Sequence, residues 1–196
     1  MKFRVEREVL AEALGAAARV ASTRNNAMPA LSGVKLEVTG DQLTLSCTDN
    51  DLSVQFVLAV GGQADGVVVA SAKLLSDIVR AGAEGKVTFE SAGEEVHISS
   101  GRAQTTVATF AASDFPHIAL ASAPPVTLSA PLLGEALRQV VRAASSDMQR
   151  LPLTGVLMSA KPEGLRLVAT DSYRLAVRDL PGTNVLGHGQ KVVIPS

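Results

Sequence analysis

The sequence predicts an α+β protein built as a tandem repeat of one domain, two helices plus antiparallel strands, with the second copy truncated. Three observations predict it. Runs with apolar residues at every second position recur through both halves, as half-buried strands require. Stretches near Leu10 and Leu133 instead space their apolar residues at the helical period. Whole phrases of the first half also return in the second at a nearly fixed offset. The 196 residues suit one or two domains at roughly 100–150 residues each.

Taken in order, Lys2–Val5 alternates as a short strand. Leu10–Ala21 reads as a helix, with Leu10, Leu14, Ala17, Ala18 and Ala21 on one face and Glu12 and Arg19 off it. A polar loop, Ser22–Asn26, is stopped by Pro29. Val34, Leu36 and Val38 alternate with polar residues, and Gly40-Asp41 turns that strand back into Leu43–Cys47. After a Thr48–Asp51 turn comes a strand at Leu52–Val60, then a turn-rich break at Gly61–Gly66 and a short strand at Val67–Ala70. Ser71 caps a helix to about Arg80, with Leu74, Leu75, Ile78 and Val79 inward and Lys73, Asp77 and Arg80 outward. Strands follow at Lys86–Glu90, Glu95–Ser99 and Gln104–Phe110. Ala111–Pro125, with three prolines, reads as a linker segment.

The pattern then restarts. Val126–Leu128 reads as a strand and Leu133–Ala144 as a helix. A polar loop, Ser145–Leu151, is stopped by Pro152. Leu153–Ser159 and Leu165–Ala169 form a hairpin, followed by a Thr170-Asp171 turn, a strand to Leu180, a Gly- and Pro-rich loop and a strand at Lys191–Ile194. The expected domains are 1–118 and 126–196, joined by a linker at 119–125.

The repeat is collinear. At an offset of 123, Leu10, Glu12, Ala13, Leu14, Arg19, Ala21 and Ser22 meet identical residues of the second copy. At an offset of 122, LSGV at Leu31–Val34 meets LTGV, and Leu43, Leu45, Thr48 and Asp49 meet Leu165, Leu167, Thr170 and Asp171. Val67–Ser71 meets Val192–Ser196. The second copy stops where its second helix is due, so it is expected to expose core and an open sheet edge unless another chain covers them. Its Ser172–Leu175 segment, SYRL, departs from the first copy and reads as one residue longer.

Composition narrows the function. A net charge of −1 gives no bulk nucleic-acid signal, so any basic face must come from segregation. One cysteine, Cys47, rules out an internal disulfide and fits a small core residue in a reducing compartment. The N-terminus lacks the apolar run of a signal peptide and no stretch approaches a membrane span, so a cytoplasmic protein is expected. His97, His117 and His188 lack metal-ligand spacing, and no nucleophile-elbow or phosphate-loop motif occurs. No catalytic residue, metal or cofactor is therefore expected. Asp49 and Asp171 leave a carboxylate-dependent hydrolase as a formal rival, although both sit in Thr-Asp turns where capping is the better reading.

ATDSYRLAV and PLTGVLM in the second copy, with MKFRVEREVL, PALSGV, VASAKLLSDIVR and FAASDFP in the first, resemble the bacterial DNA polymerase III beta subunit, the sliding-clamp family. The resemblance spans the whole chain and matches the N-terminal portion of the family's three-domain protomer, with no counterpart of the third domain. It implies the DNA-clamp fold and a non-catalytic processivity factor. In the family, two protomers close head to tail into a homodimer ring around duplex DNA. They tether the polymerase, the clamp loader and repair proteins through short clamp-binding peptides. An alternative is a short clamp-like protein that binds those partners without encircling DNA.

The resemblance also implies two sites. Helices line the ring's hole in the family, and the helices and following loops here carry Arg19, Arg24, Lys73, Arg80, Arg138, Arg142 and Arg150 against Glu12, Asp77, Glu135 and Asp147. That excess, in a chain that is otherwise net negative, suits sequence-blind phosphate contacts. Arg24, Lys73, Arg80, Arg138, Arg142, Gln149 and Arg150 are the expected DNA-binding set, with Leu151-Pro152 standing where some members carry aromatics. Leu153, Thr170, Ser172, Tyr173, Arg174 and Leu175 fall on the family's partner-peptide pocket. Leu153 and Leu175 fit a hairpin core equally well.

Overall fold

The computed structural model describes residues 1–21, 28–118 and 126–196. Its contacts divide the chain into two units, Met1–Leu120 and Ala121–Ser196. Arg24, the Ser22–Asn26 loop and the 119–125 linker lie outside the described residues.

The first unit runs β1 (Lys2–Glu6), α1 (Arg7–Val20), β2 (Gly33–Thr39), β3 (Gln42–Thr48), β4 (Ser53–Ala59), β5 (Gly61–Ala64), β6 (Gly66–Ser71), α2 (Ala72–Ala81), β7 (Lys86–Ala92), β8 (Glu95–Ser100) and β9 (Ala103–Phe110). Its nine strands make one antiparallel sheet in the order β4-β3-β2-β6-β9-β8-β7-β1-β5. β9 joins the two halves: its first part pairs with β8, while Thr109 and Phe110 pair with Ala70 and Val69 of β6. The inward faces of both halves and the apolar stripes of α1 and α2 share one core. Phe3 and Phe89 stack inside it with ring centroids 5.1 Å apart.

In the first unit three elements differ from the sequence expectation. α1 starts a turn before its apolar stripe, because the Arg7 amide donates to Gly85 O at 2.8 Å and anchors the helix start outside the helix. The Gly61–Gly66 break contains β5, which pairs Arg4 with Gly61 and Phe3 with Gly62. Two glycines erase the alternation that marks a strand. Gly62 is required there, since a Cβ would overlap Gly40 O. On α2, Leu74 is 45% exposed while Ser76 is buried beside Leu75 and Val79.

The second unit holds α3 (Ala130–Val140), a 3-10 turn at Val141–Ala143, another at Met148–Leu153, then β10 (Gly155–Lys161), β11 (Gly164–Thr170), β12 (Leu175–Pro181) and β13 (Lys191–Pro195). The strands form an antiparallel sheet in the order β12-β11-β10-β13. Its core is smaller: Ala136, Val140 and Ala143 pack against Val156, Met158, Leu165, Leu167, Ala169 and Leu180. The helix expected at Leu133–Ala144 starts earlier, with Pro131 in its first turn, and gives way at Val141 to the 3-10 turn. Pro131 suits that place because the first-turn amides lack intrahelical partners. The polar loop expected at Ser145–Leu151 is partly helical, and Pro152 lies inside its 3-10 turn rather than ending it.

Val126–Leu128 forms no strand. Its counterpart β1 is held by β5 and β7, and the four-stranded sheet offers neither partner among the described residues. Among the described residues no helix is long and apolar enough to cross a membrane.

Candidate nucleic-acid face and peptide-docking turn

In the first unit the candidate cations stand on the helix pair. α1 packs on α2, and Arg19, Lys73 and Arg80 are all exposed, with Glu12 and Asp77 among them. Lys73 lies in the first turn of α2 and Arg80 in the last. The side chain of Ser71 caps α2 by accepting from Leu74 N at 3.4 Å. The earlier start of α1 adds Arg7 and Glu8, whose charges cancel, so the basic excess stands.

In the second unit Arg138 is exposed in the last turn of α3 and Arg142 on the following 3-10 turn. Asp147 caps the next 3-10 turn by accepting from Gln149 N at 3.0 Å, which leaves the Gln149 side chain exposed. Arg150 behaves differently from the other cations. Its backbone departs from helical geometry, and its guanidinium donates to Ser172 Oγ. An arginine assigned to DNA from sequence thus meets a residue assigned to the peptide pocket.

Five of the six pocket residues form one turn. Thr170 Oγ1 donates to Arg174 O at 2.7 Å and accepts from Ser172 N at 3.1 Å. Asp171 Oδ1 accepts from Tyr173 N at 3.0 Å and Arg174 N at 2.9 Å, and Arg174 Nε donates to Asp171 Oδ2 at 2.9 Å. The backbone hydrogen bonds from Arg174 and Tyr173, helped by the Arg174 charge, hold the Asp171 carboxyl below its ordinary value. Ser172 takes a left-handed φ of 77° to close the turn. This geometry pushes side chains outward: Tyr173 is 95% exposed and Leu175 65%. Leu175 is therefore not hairpin core; Ala176 and Leu180 face the core from β12 instead. Leu153 is half-buried at the end of the 3-10 turn that carries Arg150.

The first unit repeats this turn in every bond but the one from Arg174 Nε. Thr48 Oγ1 donates to Leu52 O, Asn50 N donates to Thr48 Oγ1, and Asp49 Oδ1 accepts from Asp51 N and Leu52 N. Asn50 takes the left-handed φ of 80°. The two turns have the same length, which corrects the expectation of an extra residue in the second copy. Tyr173 stands at the place of Asp51, Arg174 at Leu52 and Leu175 at Ser53. Both aspartates spend Oδ1 on two turn amides, the arrangement of a cap.

The sequence reading missed two things here. One is Asp171 as the group that orients Arg174, signalled only by an Asp-x-x-Arg spacing in a turn. The other is the pairing of Arg150 with Ser172, which had no local signal. Exposed Met148 and Leu151, at 64% and 62%, also flank Arg150 on its 3-10 turn.

Comparison with known proteins supplies the family. The model of the DNA polymerase III beta subunit, N-terminal domain, matches residues 1–119, and that of its central domain matches residues 127–196. The chain belongs to the DNA polymerase III beta-subunit family. Among its relatives, the beta sliding clamp of Micrococcus luteus is 32% identical over 183 residues, which cover 93% of this chain and 59% of that protein. The beta sliding clamp of Streptomyces coelicolor is 35% identical over 181 residues, covering 91% and 47%. The solved beta subunit of Caulobacter crescentus superposes with a TM-score of 0.89 at 29% identity, covering all of this chain and 54% of that one. The chain thus spans about half the length of the beta-subunit relatives it matches. The fold is the DNA-clamp fold, helix packed on antiparallel sheet in each of the two units.

Proposed function

We propose that this chain serves as part of a DNA sliding clamp, a non-catalytic processivity factor of the replicative polymerase in the cytoplasm. The observation that carries the reading is the order of the two family matches, N-terminal domain then central domain, along one chain. Domains 1–118 and 126–196, joined by 119–125, fit that order.

In this reading the clamp closes as a homodimer ring around duplex DNA, and Lys73, Arg80, Arg138, Arg142 and Gln149, with Arg24, meet the phosphates. The exposure of the described members and their helix-end positions support it. Such contacts are sequence-blind and slide, since phosphates carry no base identity. Polymerase, clamp loader and repair proteins dock by short apolar peptides at Leu153, Thr170, Ser172, Tyr173, Arg174 and Leu175. The exposed Tyr173 and Leu175 beside an oriented Arg174 supply the apolar contact and polar rim such a peptide needs. Arg150, bonded to Ser172, belongs to this site as much as to the DNA face.

The test is fluorescence anisotropy with two duplexes of unrelated sequence across a salt series. Equal affinities that weaken together with salt are expected. Preference for one duplex, or salt-insensitive binding, contradicts the reading.

A further inference from the structure

α1 carries a glycine in its interior, where glycine destabilises a helix relative to alanine. Gly15 is buried, and a Cβ built on it would overlap Arg80 Nη2. The next nearest atoms are Arg80 Cζ at 3.4 Å and Nε at 3.7 Å, so all three belong to one guanidinium. Arg80 reaches this point from the last turn of the neighbouring helix α2. Its guanidinium lies over the backbone of α1 at the one residue without a side chain to block it. Among the described residues no ion pair holds it there.

The repeat gives this seat a second meaning. The offset of 123 that aligns the two helices sets Gly15 opposite Arg138. In the second unit, Arg138 lies back along its own helix, with Nη1 3.6 Å from where a Gly134 Cβ would be. Each copy therefore lays a guanidinium on the surface of its first helix, by two routes and at stations a turn apart, since Gly134 aligns with Ala11. α3 supplies it from its own residue. α1 leaves its surface open at Gly15 and receives the guanidinium from α2.

We infer that Gly15 is a positioning residue for Arg80, seating its guanidinium on α1 to meet a phosphate of duplex DNA. The inference rests on the reading of the α1–α2 face as a DNA face. It explains why the helix keeps a residue that weakens it.

The experiment measures duplex binding of the whole protein by anisotropy over a salt series, together with thermal melting, for three variants. Arg80→Ala should flatten the log–log salt slope by about one unit, the loss of one phosphate contact. Gly15→Ala should flatten it by the same amount while raising the melting temperature by roughly 2–8 °C, because alanine favours the helix. Gly15→Arg in the Arg80→Ala background should restore the parent slope, since the guanidinium then rises from α1 as Arg138 does from α3. A parent slope for Gly15→Ala beside a flattened one for Arg80→Ala overturns the seat and leaves the DNA face standing. A parent slope for Arg80→Ala overturns the DNA contact and the inference with it. Failure of the Gly15→Arg rescue overturns the reading that a guanidinium carried on α1 at this position meets the phosphate.

Discussion

Arg174 grips Asp171 twice: its backbone amide donates to Oδ1 at 2.9 Å and its Nε donates to Oδ2 at 2.9 Å. The carboxylate thus fixes both the turn and the direction of the guanidinium. Because the Arg174 side chain stays 65% exposed, its stem and remaining N–H groups are presented to solvent in one orientation. Preorganising an exposed long side chain lowers the entropic cost of docking against it.

Asp171→Ala should lower the thermal midpoint of the second unit more than Asp171→Asn does, because asparagine keeps an acceptor for the Tyr173 and Arg174 amides. Both variants lose the charge that orients Arg174 and should weaken clamp-peptide binding by about threefold to tenfold. Thermal melting and calorimetric titration read the two effects separately. Equal melting of the two variants contradicts the capping role.

The turn should also be acid-sensitive. The carboxyl of Asp171 titrates below its ordinary value because the folded turn hydrogen-bonds its charged form. Its stabilisation is therefore complete above the unfolded value of about 3.9 and is lost as pH falls through the lower, folded value. The Tyr173 and Arg174 amide resonances should hold steady down to about pH 5 and then move with a midpoint below 3.9. A midpoint at or above the ordinary value contradicts the assignment.

Tyr173→Ala combined with Arg174→Ala should weaken binding of a clamp-binding peptide by tenfold or more in order of magnitude. Tyr173 is 95% exposed, so the melting temperature should barely change. Unchanged affinity by calorimetric titration removes these residues from the docking site.

The two repeat-equivalent leucines should both be costly to truncate. Leu43 is fully buried and Leu165 is 2% exposed. Leu43→Ala and Leu165→Ala should each cost about 2–5 kcal/mol in urea unfolding, through lost transfer energy and the cavity left behind. A cost well under 1 kcal/mol, about that of a surface change, contradicts the core placement.

Burial pushes the Cys47 thiol up to about 11, outweighing a backbone hydrogen bond that lowers it. Since the thiolate is the nucleophile, Cys47 should stay unmodified by a disulfide reagent at pH 8 in the native state and react once denatured. Rapid native-state labelling contradicts its burial.

Local pattern reveals some parts of this molecule and not others. Leu43, Leu45, Leu165 and Leu167 announce their strands because each buries every second side chain on a covered face. Gly61–Ala64 is a strand with no such signature, since its pairing with β1 is decided by a distant backbone and not by side chains. Val126–Leu128 is the reverse case, apolar alternation without a neighbouring strand to bond it. At the turn, identity matching suggests an inserted residue, whereas the hydrogen bonds of Thr48 and Thr170 span equal lengths. The SYRL departure is legible in sequence, but the exposure of Tyr173 and Leu175 depends on the left-handed φ at Ser172. The Arg150–Ser172 bond joins residues 22 apart through the fold alone.

Loading the native protein, with its clamp loader, onto nicked circular duplex and then linearising the circle tests the clamp reading most directly. A topological tether predicts that protein co-elutes with the circle in a sizing column and is lost through the free ends after cutting. Equal retention on circular and linear DNA would contradict it.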